Sequence, residues 1–208
     1  MNFTFELVHD WFQLQDPEYQ HTYIRGQQTP IEWKSKVGNS DMSTNFKVTH
    51  EVPIYKGDMV IREDGMIYLL NWNVQNNPNN QASQSIECNA ALTIKRDVPE
   101  TVDKDGYLIE PAGEKIIVDS LPCIHSEYAG RPDYVASQGS AGIAPDHLIT
   151  VSLQWNPSTA NIHVNDRFEL GNFTYRVVNI SIAEVNITKE HGVLIFNAKR
   201  IAGGGLYD

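Results

Sequence analysis

The residues best suited to chemistry in this chain of 208 residues are Cys123 and His125, a Cys-x-His pair beside Glu127, with Cys88 and His147 elsewhere. Thiolate, imidazole and carboxylate are the ligands zinc takes, and a Cys–His pair is also the core of thiol catalysis. Structural zinc sites usually draw on tight pairs such as Cys-x2–4-Cys, whereas this chain offers one loose Cys-x-His. A buried thiol and a surface histidine account for the same residues. Two cysteines are too few for a disulfide framework, and both reduced, largely buried thiols and a single bridge fit that count.

Other chemistries find less support. There is no Gly-x-Ser-x-Gly elbow, and Ser137-Gln138-Gly139-Ser140 lies in a segment, Ser137–Pro145, that reads as a flexible link or hinge. Glu63, Asp64, Asp103, Asp105, Asp133 and Asp146 mostly stand beside turn residues, where carboxylates bond their own backbone. The Asp103–Asp105-Gly106 run lacks the spaced ligands and closing glutamate of a calcium loop, and Gly203–Gly205 does not precede a helix as a phosphate loop must. Trp33, Trp72, Trp155, Tyr68 and Tyr175 could serve as base-stacking platforms of an OB-like nucleic-acid-binding barrel. With no basic cluster beside them, core and interface aromatics are the plainer reading. No catalytic, cofactor-binding or metal residue is assigned, and the chain is expected not to be an enzyme.

Composition points the same way. A hydrophobic share of 41% and a charged share of 20% describe an ordinary globular protein. The balance of 16 Lys+Arg against 26 Asp+Glu gives a net charge of −10, so nonspecific gripping of a phosphate backbone is not expected. Such a surface could still line a DNA conduit, because like charges repel. The first twenty residues carry His9, Asp10 and Asp16 rather than the apolar core of a secretory signal, and no apolar run approaches a membrane span. The Asn-x-Ser/Thr sequons at Asn2, Asn172, Asn179 and Asn186 are accordingly read as chance.

The elements that must position these residues read as strands. Phe3, Phe5 and Leu7 alternate, and so do Phe46 and Val48. Trp11-Phe12-x-Leu14 suits either a short helix or a docking arm. Met59-Val60-Ile61, a turn at Asp64-Gly65 and Met66–Leu70 predict a hairpin. Gln75 to Ser85, which has neither charge nor a large apolar residue, is placed as a mobile loop, and Ile86–Ile94 as one strand. Lys115–Val118, Leu148–Leu153, Phe173–Ile182 and Val193–Phe196 complete the set, with a bulge expected at Val177-Val178 where the alternation slips. Nothing sustains a 3.6-residue period. The expected class is mainly β, an antiparallel barrel or sandwich with long loops and little helix. Residues 1–50 are expected as an N-terminal arm or extension of uncertain structure, and 51–208 as a β-rich domain, in one piece or as two lobes, 51–120 and 146–202.

Two segments echo each other, Gly57–Arg96 and Asn165–Arg200, each reading as a small meander of strand, tight turn, aromatic-centred strand and closing strand. Within them and around them lie Ile54-Tyr55-Lys56-Gly57-Asp58, Gly65, Tyr68-Leu69-Leu70, Cys88-Asn89-Ala90-Ala91-Leu92, Ile149–Leu153, Asn156-Pro157-Ser158-Thr159, Arg167-Phe168, Tyr175–Ile180 and Gly192-Val193-Leu194. Over residues 50–200 this order resembles the head–tail connector proteins of tailed phages, the head-closure (stopper) and adaptor subunits of the neck.

The resemblance implies a virion protein made in the host cytoplasm and built into a 6- or 12-fold homo-oligomeric ring. Its partners would be portal or adaptor and tail proteins, with DNA passing through the lumen unbound, and no cofactor or membrane. It makes Gln75, Asn76, Asn77, Pro78, Asn79, Asn80 and Gln81 the candidate lumen or partner-contact loop. Trp72, Leu206 and Tyr207 are candidate subunit-interface residues. The sheet edge ending at Phe196–Arg200 and the termini are expected to join neighbouring subunits.

Overall fold

A computed structural model describes residues 2–30, 43–105, 107–127, 148–188 and 190–201. Among the described residues strand accounts for 60% and no helix reaches seven residues. Among the described residues no helix is long and apolar enough to cross a membrane.

The strands close into two six-stranded antiparallel barrels. The first comprises β1 (Asn2–Val8), β2 (Thr22–Pro30), β3 (Ser43–Val48), β4 (Met59–Arg62), β5 (Ile67–Leu70) and β7 (Asn80–Glu87), with β6 (Gln75–Asn77) hung on β7. The order β3-β2-β1-β4-β5-β7 is closed by pairing of β3 with β7. The second comprises β8 (Ala90–Val98), β11 (Gly113–Glu127), β12 (Leu148–Gln154), β13 (Arg167–Leu170), β14 (Phe173–Ser181) and β15 (Val193–Ile201), in the order β11-β12-β15-β14-β13-β8. Between β8 and β11 a separate two-stranded hairpin forms from β9 (Thr101–Val102) and β10 (Leu108–Glu110).

Several local expectations hold for stated reasons. The hairpin at Asp64-Gly65 joins β4 to β5, with Gly65 at φ +86°, where a Cβ would be strained. The bulge appears as a register shift between Val177 and Asn179 on β14. Trp11-Phe12-Gln13-Leu14-Gln15 forms a 3-10 turn capped by Asp10, whose carboxylate accepts from Phe12 N at 3.1 Å, and its apolar residues lie on the second core.

Other expectations are corrected. Residues 2–48 supply three staves of the first barrel. Ile86–Ile94 is two strands, interrupted at Cys88-Asn89 where the chain crosses from one barrel to the other, so the strand closing the first echo belongs to the second barrel. Strand β15, with Phe196–Arg200, is paired on both sides, by β12 and β14, and offers no edge.

Gln75–Ser85 is a strand pair, Gln75↔Ala82 to Asn77↔Asn80, and its second half is a barrel stave. The inward residues of that stave are polar but bonded. Gln81 accepts from Ile54 N and donates to the Val52 carbonyl, Ser83 donates to the Trp72 carbonyl, and Ser85 pairs with Thr44.

One core, built on Phe5, Leu7, Ile24, Phe46, Val60 and Leu70, fills the first barrel. The larger core of the second extends beyond its own strands and takes in Val8, Met59 and Leu69. These three are the sequence neighbours of Leu7, Val60 and Leu70, so β1, β4 and β5 are buried on both faces where the barrels meet.

Gln154 at the end of β12 completes the weld. Its amide is buried, accepting from Trp11 N (2.7 Å) and donating to the carbonyls of Val8 (3.1 Å) and Gly57 (3.0 Å). All three partners belong to the N-terminal part of the chain. Each buried backbone group left unbonded costs about 1–3 kcal/mol. Gln154→Leu is therefore expected to destabilise the protein by about 3 kcal/mol or more in urea unfolding, whereas Gln154→Glu, which keeps an acceptor for Trp11 N but loses both donors, should also be strongly destabilising.

Candidate functional site

The Cys–His constellation does not assemble as a reactive centre. Cys123 points into the second core and Cys88 lies against it at the crossing. Burial pushes both thiols up to about 12, and both cysteines are free. His125 instead bonds Asn89, whose side chain accepts from His125 N and contacts its Nδ1 at 2.8 Å while donating to its carbonyl. Among the described residues no group of three or more His, Cys, Asp or Glu converges on one point; His147 lies outside them.

The carboxylates serve turns. Asp103 accepts from Asp105 N and Tyr107 N, and Asp64 holds the Arg62 guanidinium and accepts from Met66 N. Asp133 and Asp146 lie outside the described residues. Tyr68 and Tyr175 are core residues and present no free ring face for a base.

Of the candidate contact residues, Trp72 is 57% exposed in the link between β5 and β6. Gln75, Asn76, Asn77, Pro78 and Asn79 are exposed, while Asn80 is half-buried and Gln81 is buried. The tip is fixed by Asn77 donating to Asn80 Oδ1 at 3.0 Å and by His50 Nε2 bonding the Asn77 carbonyl at 2.7 Å. It therefore protrudes as an ordered, uncharged hairpin. Leu206 and Tyr207 lie outside the described residues.

Single-residue spacing did not single out a polar cluster that sits at the barrel junction. Gly57, at φ +93°, approaches Gly192, at φ +149°, so closely that a Cβ on Gly57 would lie 1.9 Å from the Gly192 carbonyl oxygen. That approach stacks the Tyr55 ring on His191, centroids 4.1 Å apart and 4° from parallel. It also sets His9 within 6.2 Å of His191, centroid to centroid. His9 Nδ1 bonds Asp58 Oδ1 at 3.0 Å, and Asp58 Oδ2 accepts from Tyr55 N at 2.7 Å. Lys56 pairs with Glu184 at the rim, beside a cleft of about 240 Å3 lined in part by Asn73 and Asn186. Glycine and histidine near positions 57 and 191 are visible in the sequence as turn signals; only the fold brings them together.

A carboxylate orienting an imidazole is what a general base requires. Here His9 faces aromatic rings, and its hydrogen-bond partner among the described residues is Asp58. The arrangement is well suited to fastening the two barrels. The Asp58 hydrogen bond raises the His9 pKa against an opposing effect of burial. Burial raises that of Asp58 against the opposing bond to His9. The pair thus holds its protons more tightly folded than unfolded. Stability from a raised histidine is fully present below its unfolded pKa, about 6.5, and is lost as pH rises through the folded value. The melting temperature should fall as pH rises above about 6.5, and His9→Gln should flatten that slope in thermal scans with Tyr55, Lys56, Glu184 and His191 unchanged.

The thiols give a second expectation. With both near 12, alkylation of native Cys88 and Cys123 at pH 8 should run roughly a thousand-fold slower than in urea, as mass spectrometry would record.

No curated protein and no solved structure matches the sequence. The YomX C-terminal domain family matches over residues 31–199, which takes in both barrels from β3 onward. This family is phage-derived, typified by YomX of a Bacillus prophage, and the match suggests a phage protein. On that match, which covers most of its length, the chain belongs to the YomX C-terminal domain family.

Proposed function

We propose that the chain is a virion structural subunit that forms a 6- or 12-fold ring in the phage neck, joining the portal and capsid to the tail and helping to close the DNA channel. The observation that carries this reading is the ordered, uncharged hairpin Gln75–Asn79 standing out of a closed barrel in a member of a phage-derived family. A hairpin tip without charge can sit beside DNA or a partner ring without gripping phosphate, and a net charge of −10 disfavours adhesion to the genome. Closed barrels suit a part that must carry load, because each stave is bonded on both sides. Trp72 beside the hairpin supplies an apolar anchor for a neighbouring subunit or ring. In this reading the chain has no catalytic role.

The alternative of an OB-like nucleic-acid-binding module loses Tyr68 and Tyr175 as stacking residues, since both are buried. Light scattering and electron microscopy of the protein, alone and mixed with portal and tail components from the same phage, test the proposal. Rings of six or twelve copies are expected. A protein that stays monomeric in every mixture, or one that binds single-stranded oligonucleotide tightly and salt-sensitively, would overturn it.

A further inference from the structure

Two unusual surfaces remain on the second barrel. The first is a row of cations. Lys95 on β8 pairs in register with Arg167 on β13, Arg167 with Arg176 on β14, and Arg176 with Lys199 on β15. Their sequence neighbours Ile94, Phe168, Tyr175, Val177 and Ala198 are buried in the core, so all four cationic side chains stand on the outer wall. Like charges directly opposite each other on a sheet are unfavourable. Glu114 offsets Lys95 and Arg167, and Asp97 offsets Arg167 further. Arg176, in the middle, is exposed and has no carboxylate partner among the described residues. Apolar groups flank it, with Val178 exposed on the same strand and Ile116 exposed at the far end of the row, paired with Lys95.

The second surface is the hairpin of β9 and β10. It leaves the barrel beyond the last β8–β11 pair, Val98↔Gly113, and among the described residues no strand lies on either outer edge. Tyr107, Leu108 and Ile109 are 73%, 58% and 61% exposed, so their own barrel does not cover them. Glu100, Asp103 and Asp105 against Lys104 make this arm acidic. An isolated two-stranded hairpin is marginal in water, and three consecutive exposed apolar residues on it call for a cover.

We infer that the β9–β10 hairpin of one copy docks across the Lys95–Arg167–Arg176–Lys199 row of a second copy. Charge and apolar character match in both directions. The acidic, apolar arm meets a wall on which Asp97, Glu114 and Glu169 stand toward the β8–β13 side and the exposed Arg176, with Lys199 beside it, stands toward β14 and β15. Donor and acceptor surfaces differ, which suits a head-to-tail contact, and such a contact forms a ring where the rotation between copies closes. The inference rests on the ring reading above and supplies the subunit contact for it.

The test uses the full chain in two variants. One carries Tyr107→Ser, Leu108→Ser and Ile109→Ser; the other carries Arg176→Glu on an exposed position that the fold does not need. Each alone should lower self-association at least ten-fold in light scattering, with circular dichroism unchanged. Mixed, they should give a one-to-one heterodimer and nothing larger, because one intact arm then meets one intact row. If the wild type assembles and both variants assemble equally well, this contact is wrong while the ring reading stands. Failure of the mixed variants to form a heterodimer would also overturn the contact, and so would oligonucleotide binding that Arg176→Glu abolishes while assembly is untouched. A wild type that is monomeric throughout would overturn both readings.

Discussion

The structure depends on the burial of one amide, Gln154, at the meeting of two barrels. Turns and strand ends packed against another barrel leave backbone groups with neither a strand partner nor water. Trp11 N and the carbonyls of Val8 and Gly57 are such groups, and a single side chain from the other barrel satisfies all three. An apolar residue there would fill the space and leave them unbonded. Around this bond the other junction features fall into place: the Gly57–Gly192 approach, the Tyr55–His191 stack, the Asp58–His9 pair and the double-faced burial of Val8, Met59 and Leu69. The two barrels are consequently one packed unit, with a shared core in place of a linker.

Much of this was legible in the sequence where local chemistry decides. The alternation at Phe3, Phe5 and Leu7, the Asp64-Gly65 turn and the slip at Val177-Val178 report backbone preferences that tertiary context does not overrule. The runs Met59-Val60-Ile61 and Leu69-Leu70 also carried a signal. Unbroken apolar residues in a strand mean both faces are covered, which marks where the second barrel sits. What failed was inference from polarity. Gln81, Ser83 and Ser85 look like loop residues because the groups that satisfy them, the Val52 and Trp72 carbonyls and the Thr44 side chain, come from other segments of the chain. Pairings such as Gln154 with Val8, or Lys95 with Arg167, depend on register across the fold and have no signature in spacing. The echo between Gly57–Arg96 and Asn165–Arg200 survives as paired turn glycines and neighbouring strands, but its first copy is divided between the barrels.

The functional picture follows from how charge is distributed over a closed scaffold. The chain is acidic overall, yet it concentrates cations in one cross-strand row and exposes apolar side chains on one acidic arm. A surface that repels DNA broadly while keeping one basic strip is consistent with an assembly part, since the strip can be covered by a protein partner and removed from solvent. The uncharged hairpin at Gln75–Asn79 emerges from the other barrel, leaving the two projections free for different neighbours.

The central claim is that this chain is a stoichiometric part of the virion. Quantitative mass spectrometry of purified phage particles, with the major capsid protein as internal standard, measures that directly. The account predicts six or twelve copies per particle, retained with the neck when capsids are emptied of DNA. Absence of the chain from purified particles, with abundant protein in the infected-cell lysate, would contradict it.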